Sequence, residues 1–381
     1  MSYKEKAVNL INLRLDIAES ELKSLIAQLL EFTNRPESQI CLFGAGAVGK
    51  QVYWYLKNNN INVDFFCDND SKKWGKEVVD GKVCRPTSEL QELGENVKVL
   101  ISLGTKNTIA DQLKKLNIDP ILTNSLETLR ILSSDIFLID KNILISKISE
   151  LFDIMEDQFS KKVLYHKLVT MLESEEILTG IDYSTIESSP QYFPDDLIQI
   201  EEGEVFVDCG AYIGDTLESF MEQKNSDKCN KYICYELDTS NYSILSNVVN
   251  KKNEEFKAKT QLYNFGVADK SENIKYFSNL GATTINGTGS IEGKVVRLDE
   301  HLDGTAITFL KMDIEGSEMA ALRGGKELIT LNKPKCAISI YHKASDLWEI
   351  PLYLKKIVPG YRIFIRHHTA TFADTVCYAV L

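Results

Sequence analysis

The chain has 381 residues, 44% of them hydrophobic and 26% charged, with a formal net charge of −12. That length holds two to three domains with ordinary cores, and the composition is that of a soluble globular protein. An acidic balance with no run of Lys or Arg argues against nucleic acid as the partner, and no run nears the ~18 apolar residues of a membrane span, so a cytoplasmic setting is expected.

Residues 1–33 form the first segment. Leu22, Leu25, Ile26, Leu29 and Leu30 recur at three-to-four spacing, which predicts one amphipathic helix over residues 3–33. Its apolar stripe must be covered by the same chain or by a second copy in a homodimer, and both remain open. Asn34-Arg-Pro36 ends the helix, and residues 34–125 read as a first Rossmann-like domain. Ile40–Phe43 is a strand, Gly44-Ala-Gly46-Ala-Val48-Gly49 a Gly-x-Gly-x-x-Gly loop opening a helix, and Val63–Cys67 a strand ending in Asp68. An acid some twenty residues past such a loop is where a ribose hydroxyl is held. Gly44, Gly46, Val48, Gly49 and Asp68 are therefore a candidate nucleotide site, with a packed shell lacking any ligand as the alternative. A further strand, Val97–Leu103, closes at Gly104-Thr-Lys106. Tyr53-x-x-x-Lys57 copies the spacing of short-chain dehydrogenases, but it falls in the helix directly after the glycine loop and reads as structural.

Phe43-Gly-Ala-Gly46, Cys67-Asp68-Asn-Asp70-Ser-Lys-Lys-Trp74-Gly75 and Asp80-Gly-Lys-Val83 resemble the small N-terminal Rossmann-type domains of bacterial sugar-modifying enzymes, such as nucleotide-sugar acyltransferases and sugar dehydratases. The resemblance implies a nucleotide or nucleotide-sugar module. Residues 126–200 follow as a helical connector or lid, ending in the extended segment Pro190-Gln-Tyr192-Phe-Pro194, whose place just before the cofactor strand suits either a wall of a site or packing alone. The eight cysteines show no Cys-x-x-Cys spacing and read as reduced core residues.

Residues 201–381 carry the chemistry. Val205-Phe-Val-Asp208-Cys-Gly210-Ala211-Tyr212-Ile-Gly214-Asp215-Thr216 is strand, turn and helix start. A pyrophosphate cradle uses backbone N–H groups, and acids there would repel the anion. Asp208 and Asp215 instead suit a cationic nucleoside, and S-adenosylmethionine carries an ammonium and a sulfonium. Glu236, at the end of the strand Tyr232–Tyr235, is the ribose acid, with Leu237 beside it. Gln261–Asp269 reads as the third strand, placing Gly266 and Val267 by the adenine, and residues 274–298 as an inserted flap. The fourth strand runs into Lys311-Met-Asp313-Ile-Glu315-Gly-Ser-Glu318, where alternation would send Lys311, Asp313 and Glu315 to one side. The fifth brings Tyr341 and His342 to the same edge, and residues 361–366 and 375–380 form a last antiparallel pair.

Four of these segments (205–216, 264–269, 310–318 and Ala321-Leu-Arg-Gly-Gly325), with Tyr341-His342, resemble the FkbM-type methyltransferase family over about residues 200–381. The resemblance implies a seven-stranded class I methyltransferase sheet, S-adenosylmethionine as donor and O-methylation of a sugar or polyketide hydroxyl. The fold class expected is thus α/β, with two Rossmann-like doubly wound sheets joined by a helical connector. Asp313 and His342 are candidate bases, with Asp313 also touching the cofactor. Glu315 supports either base, and Lys311 holds an anionic part of the acceptor, a carbohydrate or nucleotide-sugar. Capping of a helix N-terminus is the expected role of Glu318. A magnesium ion at Asp313 is an open alternative, although no ligand spacing demands it. Two other readings stand beside this one: an NAD-dependent nucleotide-sugar oxidoreductase built on the first glycine loop, and a non-catalytic scaffold.

Overall fold

The computed structural model describes residues 1–102, 106–118, 120, 139–172, 182–279, 282–285, 291–371 and 373–381. They fall into two compact units. The loop at Gly104-Thr105, parts of the expected connector, and residues 280–281 and 286–290 of the expected flap lie outside the described residues.

The first unit comprises residues 5–145 and 169–180. Its five-stranded sheet contains β1 (Gln39–Phe43), β2 (Phe65–Cys67), β3 (Glu77–Val79), β4 (Lys82–Arg85) and β5 (Val97–Ile101), in the order β3-β4-β2-β1-β5. β1 runs parallel to β2 and β5, as a β-α-β unit requires. The long N-terminal helix, Tyr3–Thr33, turns Leu22, Leu25, Leu29 and Phe32 into the same apolar cluster as Ile40, Leu42, Val52 and Phe66. This part of its stripe is therefore covered by its own chain. The Tyr53 hydroxyl donates to Asp80 at 2.5 Å and Lys57 pairs with the same carboxylate, a surface clamp consistent with a structural role.

The second unit comprises residues 1–4, 146–168 and 181–381. Its main sheet contains β6 (Val205–Cys209), β7 (Lys231–Tyr235), β8 (Thr260–Tyr263), β13 (Phe309–Met312), β14 (Lys335–Ser339), β15 (Arg362–His367) and β16 (Thr375–Val380), in the order β15-β16-β14-β13-β6-β7-β8. β8, β7, β6, β13 and β14 are parallel, and β16 lies antiparallel between β14 and β15. This is the seven-stranded α/β sheet expected from the sequence. The strand order reverses between β6 and β13, and in such sheets ligands bind in the crevice beyond the carboxyl ends at that point. Aromatic side chains fill the core below: Phe206 stacks on Phe309 with centroids 4.6 Å apart, flanked by Phe193, Phe220 and Tyr232. Arg366, 3% exposed, is held by Asp157 and Asp196 at 2.7 Å each, which ties segment 146–168 to β15.

Two strand expectations need correction. The third strand is not continuous over residues 261–269. β8 ends at Tyr263, where Asn264 turns its amide onto the carbonyls of Glu236 and Leu237. Gly266–Val267 (β9) then joins a separate four-stranded sheet with β10 (Glu272–Asn279), β11 (Ala282–Ile285) and β12 (Ile291–Val296), in the order β11-β10-β12-β9. The second correction is at β13, which stops at Met312. Glu315 takes a φ of 56°, so period-two alternation does not carry through to it.

Candidate functional site

β6 delivers Asp208 and Cys209 to the switch point, and the chain turns over residues 210–214 into the helix Asp215–Met221. The N–H groups of Gly210 and Ala211 donate to the carbonyl of Tyr235, stitching the turn to the end of β7. Gly210 has a φ of +81°, and a Cβ on it would fall 1.9 Å from the carbonyl oxygen of Asp313. Only glycine lets the two loops meet so closely. Gly210→Ala is expected to destabilise the protein by more than about 1 kcal/mol, read as a lowered thermal midpoint, because both the backbone angle and the contact are lost. An unchanged midpoint would show that the loops can part.

Around this turn lies a cavity of 360 Å³. Its walls include Gly210, Tyr212, Asp215 and Thr216 from the turn, Tyr235, Glu236 and Leu237 from the end of β7, and Phe265, Gly266 and Val267 from the β8–β9 junction. Asn241, Tyr192, Lys311, Asp313, Ile314, Glu315 and Ser317 complete it. Most of the residues expected at a cofactor site are brought together here. Ala211 is fully buried, and Gly214, with a φ of +98°, shapes the turn without facing the cavity.

Glu236 has both carboxylate oxygens engaged: one accepts from the N–H of Tyr212 at 2.9 Å and the other from the N–H of Asp238 at 2.8 Å. Burial pushes its carboxyl up to about 7, with Asp238 adding to the rise, and the two N–H groups and Lys311 opposing it.

Asp208 does not face the cavity. It is fully buried and forms an ion pair with Lys311 at 2.9 Å, while the Tyr232 hydroxyl donates to it at 3.1 Å. Register explains the pair, since Lys311 of β13 lies directly beside Asp208 of β6. Lys311 also donates to the carbonyl of Gly210 at 2.7 Å and sits 5.0 Å above the Tyr192 ring. Burial alone would lower its ammonium, but Asp208 and Asp313 raise it above its ordinary value. The ammonium expected to meet the acceptor is thus already committed within the protein.

Asp313 follows β13 directly, and its N–H donates to the carbonyl of Cys209. The Tyr192 hydroxyl donates to its carboxylate at 2.5 Å and the Tyr341 hydroxyl at 3.2 Å. Behind Asp313 lies His342, its side chain 9% exposed, with Nε2 at 3.4 Å from Asp313 and 3.6 Å from Glu315, and Nδ1 at 2.9 Å from Glu318. Burial opposes a charge on this ring, but Glu318, Asp313 and Glu315 outweigh it and raise the imidazole to about 9. Glu318 is fully buried and accepts from the N–H of Ile314, in the loop before its own helix. Besides that loop contact, it faces the histidine, a partner the helix-cap expectation did not anticipate. Tyr235 and Asn241 are wall residues that no motif singled out, and Phe265 falls inside the 264–269 segment without having been named as a site residue.

In the first unit, Asp68 is occupied from within. It accepts from the N–H groups of Ala45 and Asp70 and pairs with Lys73 at 2.8 Å. Burial would raise its carboxyl, but these partners hold it below the ordinary carboxylate range. Gly44 has a φ of +117°, Gly46 precedes the helix Ala47–Asn58, and Val48 is exposed. Gly49 packs against Gly44, whose carbonyl oxygen a Cβ would meet at 1.9 Å. A ribose at Asp68 would have to displace Lys73.

Residues 208–363 match the family described as methyltransferase FkbM domain. Among solved structures, the chain is similar to methyltransferase FkbM from Methylobacillus flagellatus KT at 23% identity and a TM-score of 0.59, covering 98% of this chain and 100% of that one. An rRNA methylase from Streptococcus thermophilus aligns over 47% of this chain and 86% of its own at 13% identity, with a TM-score of 0.29, too slight a likeness to carry an argument. No curated protein matches the chain.

Proposed function

We propose that the cavity at the β6–β13 switch point binds S-adenosylmethionine and that the enzyme methylates the oxygen of a sugar hydroxyl in a surface glycan under assembly, a reading supported by the match of residues 208–363 to the methyltransferase FkbM domain. The observation that carries the donor assignment is Glu236, a buried carboxylate on the cavity wall at the carboxyl end of β7. It accepts from the ribose hydroxyls, while Leu237, Phe265 and Val267 offer apolar faces to the adenine and Asp215 favours the cationic end. The sugar assignment rests on the first unit's resemblance to sugar-modifying enzymes, and in the same reading that unit helps to place the glycan.

When bound, the donor supplies a sulfonium-activated methyl group. A new O–C bond forms at the acceptor as the C–S bond breaks, and the hydroxyl proton must leave. Asp313 is the wall residue that meets this hydroxyl. Tyr192 and Tyr341 fix its carboxylate, which orients the acceptor and draws off the proton. Incubation with isotopically labelled donor and candidate sugars, followed by mass spectrometry for one added labelled methyl, tests the reaction. Transfer to nitrogen or carbon only would overturn the O-methyl assignment.

Glu236 gives the binding a sign with pH. Its folded-state carboxyl, at about 7, lies above the ordinary value of 4.5. Its contribution to stability is therefore full below about 4.5 and lost as pH rises through about 7. Ribose hydroxyls require the ionised form, so donor affinity should run the other way and rise about tenfold between about pH 6 and pH 8. Titration calorimetry of wild type and Glu236→Gln checks this, the variant binding more weakly and without that slope. An equal slope in both would assign the titration to another group.

A further inference from the structure

Three elements of the second unit converge on one point beside the cavity. Asp313 follows β13, Glu318 opens the helix Glu318–Gly324, and His342 follows β14. One ligand atom from each lies within 4.8 Å of the other two. Among the described residues, neither ring nitrogen of His342 makes a hydrogen bond, and neither does Oε2 of the fully buried Glu318. The 2.9 Å contact between Nδ1 and Glu318 is an ion pair without hydrogen-bond alignment. The Lys311 ammonium pairs with Asp208 and donates to the carbonyl of Gly210, and the Lys343 ammonium donates to the carbonyl of Gly316.

We propose that Asp313, Glu318 and His342 form a binding site for one divalent transition-metal ion. Two carboxylates and one imidazole are a mixed oxygen and nitrogen donor set, which suits Mn²⁺, Fe²⁺, Co²⁺ or Zn²⁺ better than the all-oxygen shell that Mg²⁺ and Ca²⁺ prefer. Glu315, with Oε2 3.6 Å from Nε2 of His342, is close enough to support the set from the cavity side. The ion's use in the reaction rests on the methyl-transfer reading, where it would lower the pKa of an acceptor hydroxyl brought to Asp313. The site itself does not depend on that reading.

The test is titration calorimetry of metal-stripped full-length protein with Mn²⁺ and, separately, Zn²⁺ or Mg²⁺, in the absence of any methyl donor. The expected result is one saturable Mn²⁺ or Zn²⁺ site per chain, weakened at least about tenfold in both Glu318→Gln and His342→Gln, with Mg²⁺ weaker than either. Circular dichroism of each variant establishes that it is folded; should Glu318→Gln fail to fold, the His342→Gln comparison alone decides. No saturable binding, or equal affinity in wild type and folded variants, overturns the proposal, and Mg²⁺ binding tighter than Mn²⁺ and Zn²⁺ overturns the imidazole as a ligand. S-adenosylmethionine titrated into the same stripped protein separates the two assignments: donor binding without metal binding leaves the cofactor reading standing and removes this one, and the converse leaves only the metal site.

Discussion

Replacing Lys311 by methionine is expected to lower the stability of the second unit by about 3–5 kcal/mol, because it strands the buried carboxylate of Asp208 without its cation. The two side chains are 2% and 0% exposed and stand side by side on β13 and β6, so water cannot take the place of the lost partner. Lys311 also anchors the carbonyl of Gly210, and the substitution should loosen the turn as well. The comparison that isolates the charge is the double replacement Lys311→Met with Asp208→Leu. Removing both ions should recover much of the loss, since an apolar pair of similar volume often matches a buried ion pair. Chemical unfolding of the three proteins measures this. A single variant within about 1 kcal/mol of wild type would mean that the pair is solvated in solution.

Asp313→Asn should reduce turnover by about 10²–10⁴-fold while leaving the fold intact. An amide keeps the shape and can still accept from Tyr192 and Tyr341, but it cannot take up a proton. The effect should fall on kcat rather than on donor affinity, because Glu236 and the turn residues remain in place. It is read with labelled donor and whichever sugar accepts the methyl group in the acceptor screen. Turnover within a factor of a few of wild type would move the proton-accepting role away from Asp313.

The sheet and the cavity were legible in the sequence because their signals are local. A β-branched run, an acid, two spaced glycines and a helix start define the turn at residues 205–216 within a dozen positions. Glu236, Gly266 and Asp313 each sit at a strand end or junction that such runs mark, and the structure brings all three to one cavity. What the sequence hid depends on register and distance along the chain. Alternation placed Lys311 on a face but could not reveal that Asp208 occupies the neighbouring position of the adjacent strand. The break after Tyr263 depends on Asn264 reaching back to Glu236 and Leu237, a tertiary contact with no local signature. Tyr192 touches Asp313 across 121 positions, and only the two prolines around it hinted that its segment forms a wall. Glu318 read as a helix-start acid because its partner His342 arrives from the next strand of the sheet. The glycine loop at Gly44–Gly49 shows the converse: its pattern is complete, yet Asp68 is already matched by Lys73 and two backbone N–H groups.

Titrating the full-length protein with S-adenosylmethionine, and in parallel with NAD, tests the central claim most directly. One molecule of S-adenosylmethionine should bind per chain, with Glu236→Ala binding it far more weakly. Binding of NAD with no heat from S-adenosylmethionine, or equal donor affinity in Glu236→Ala, would contradict the assignment of this cavity.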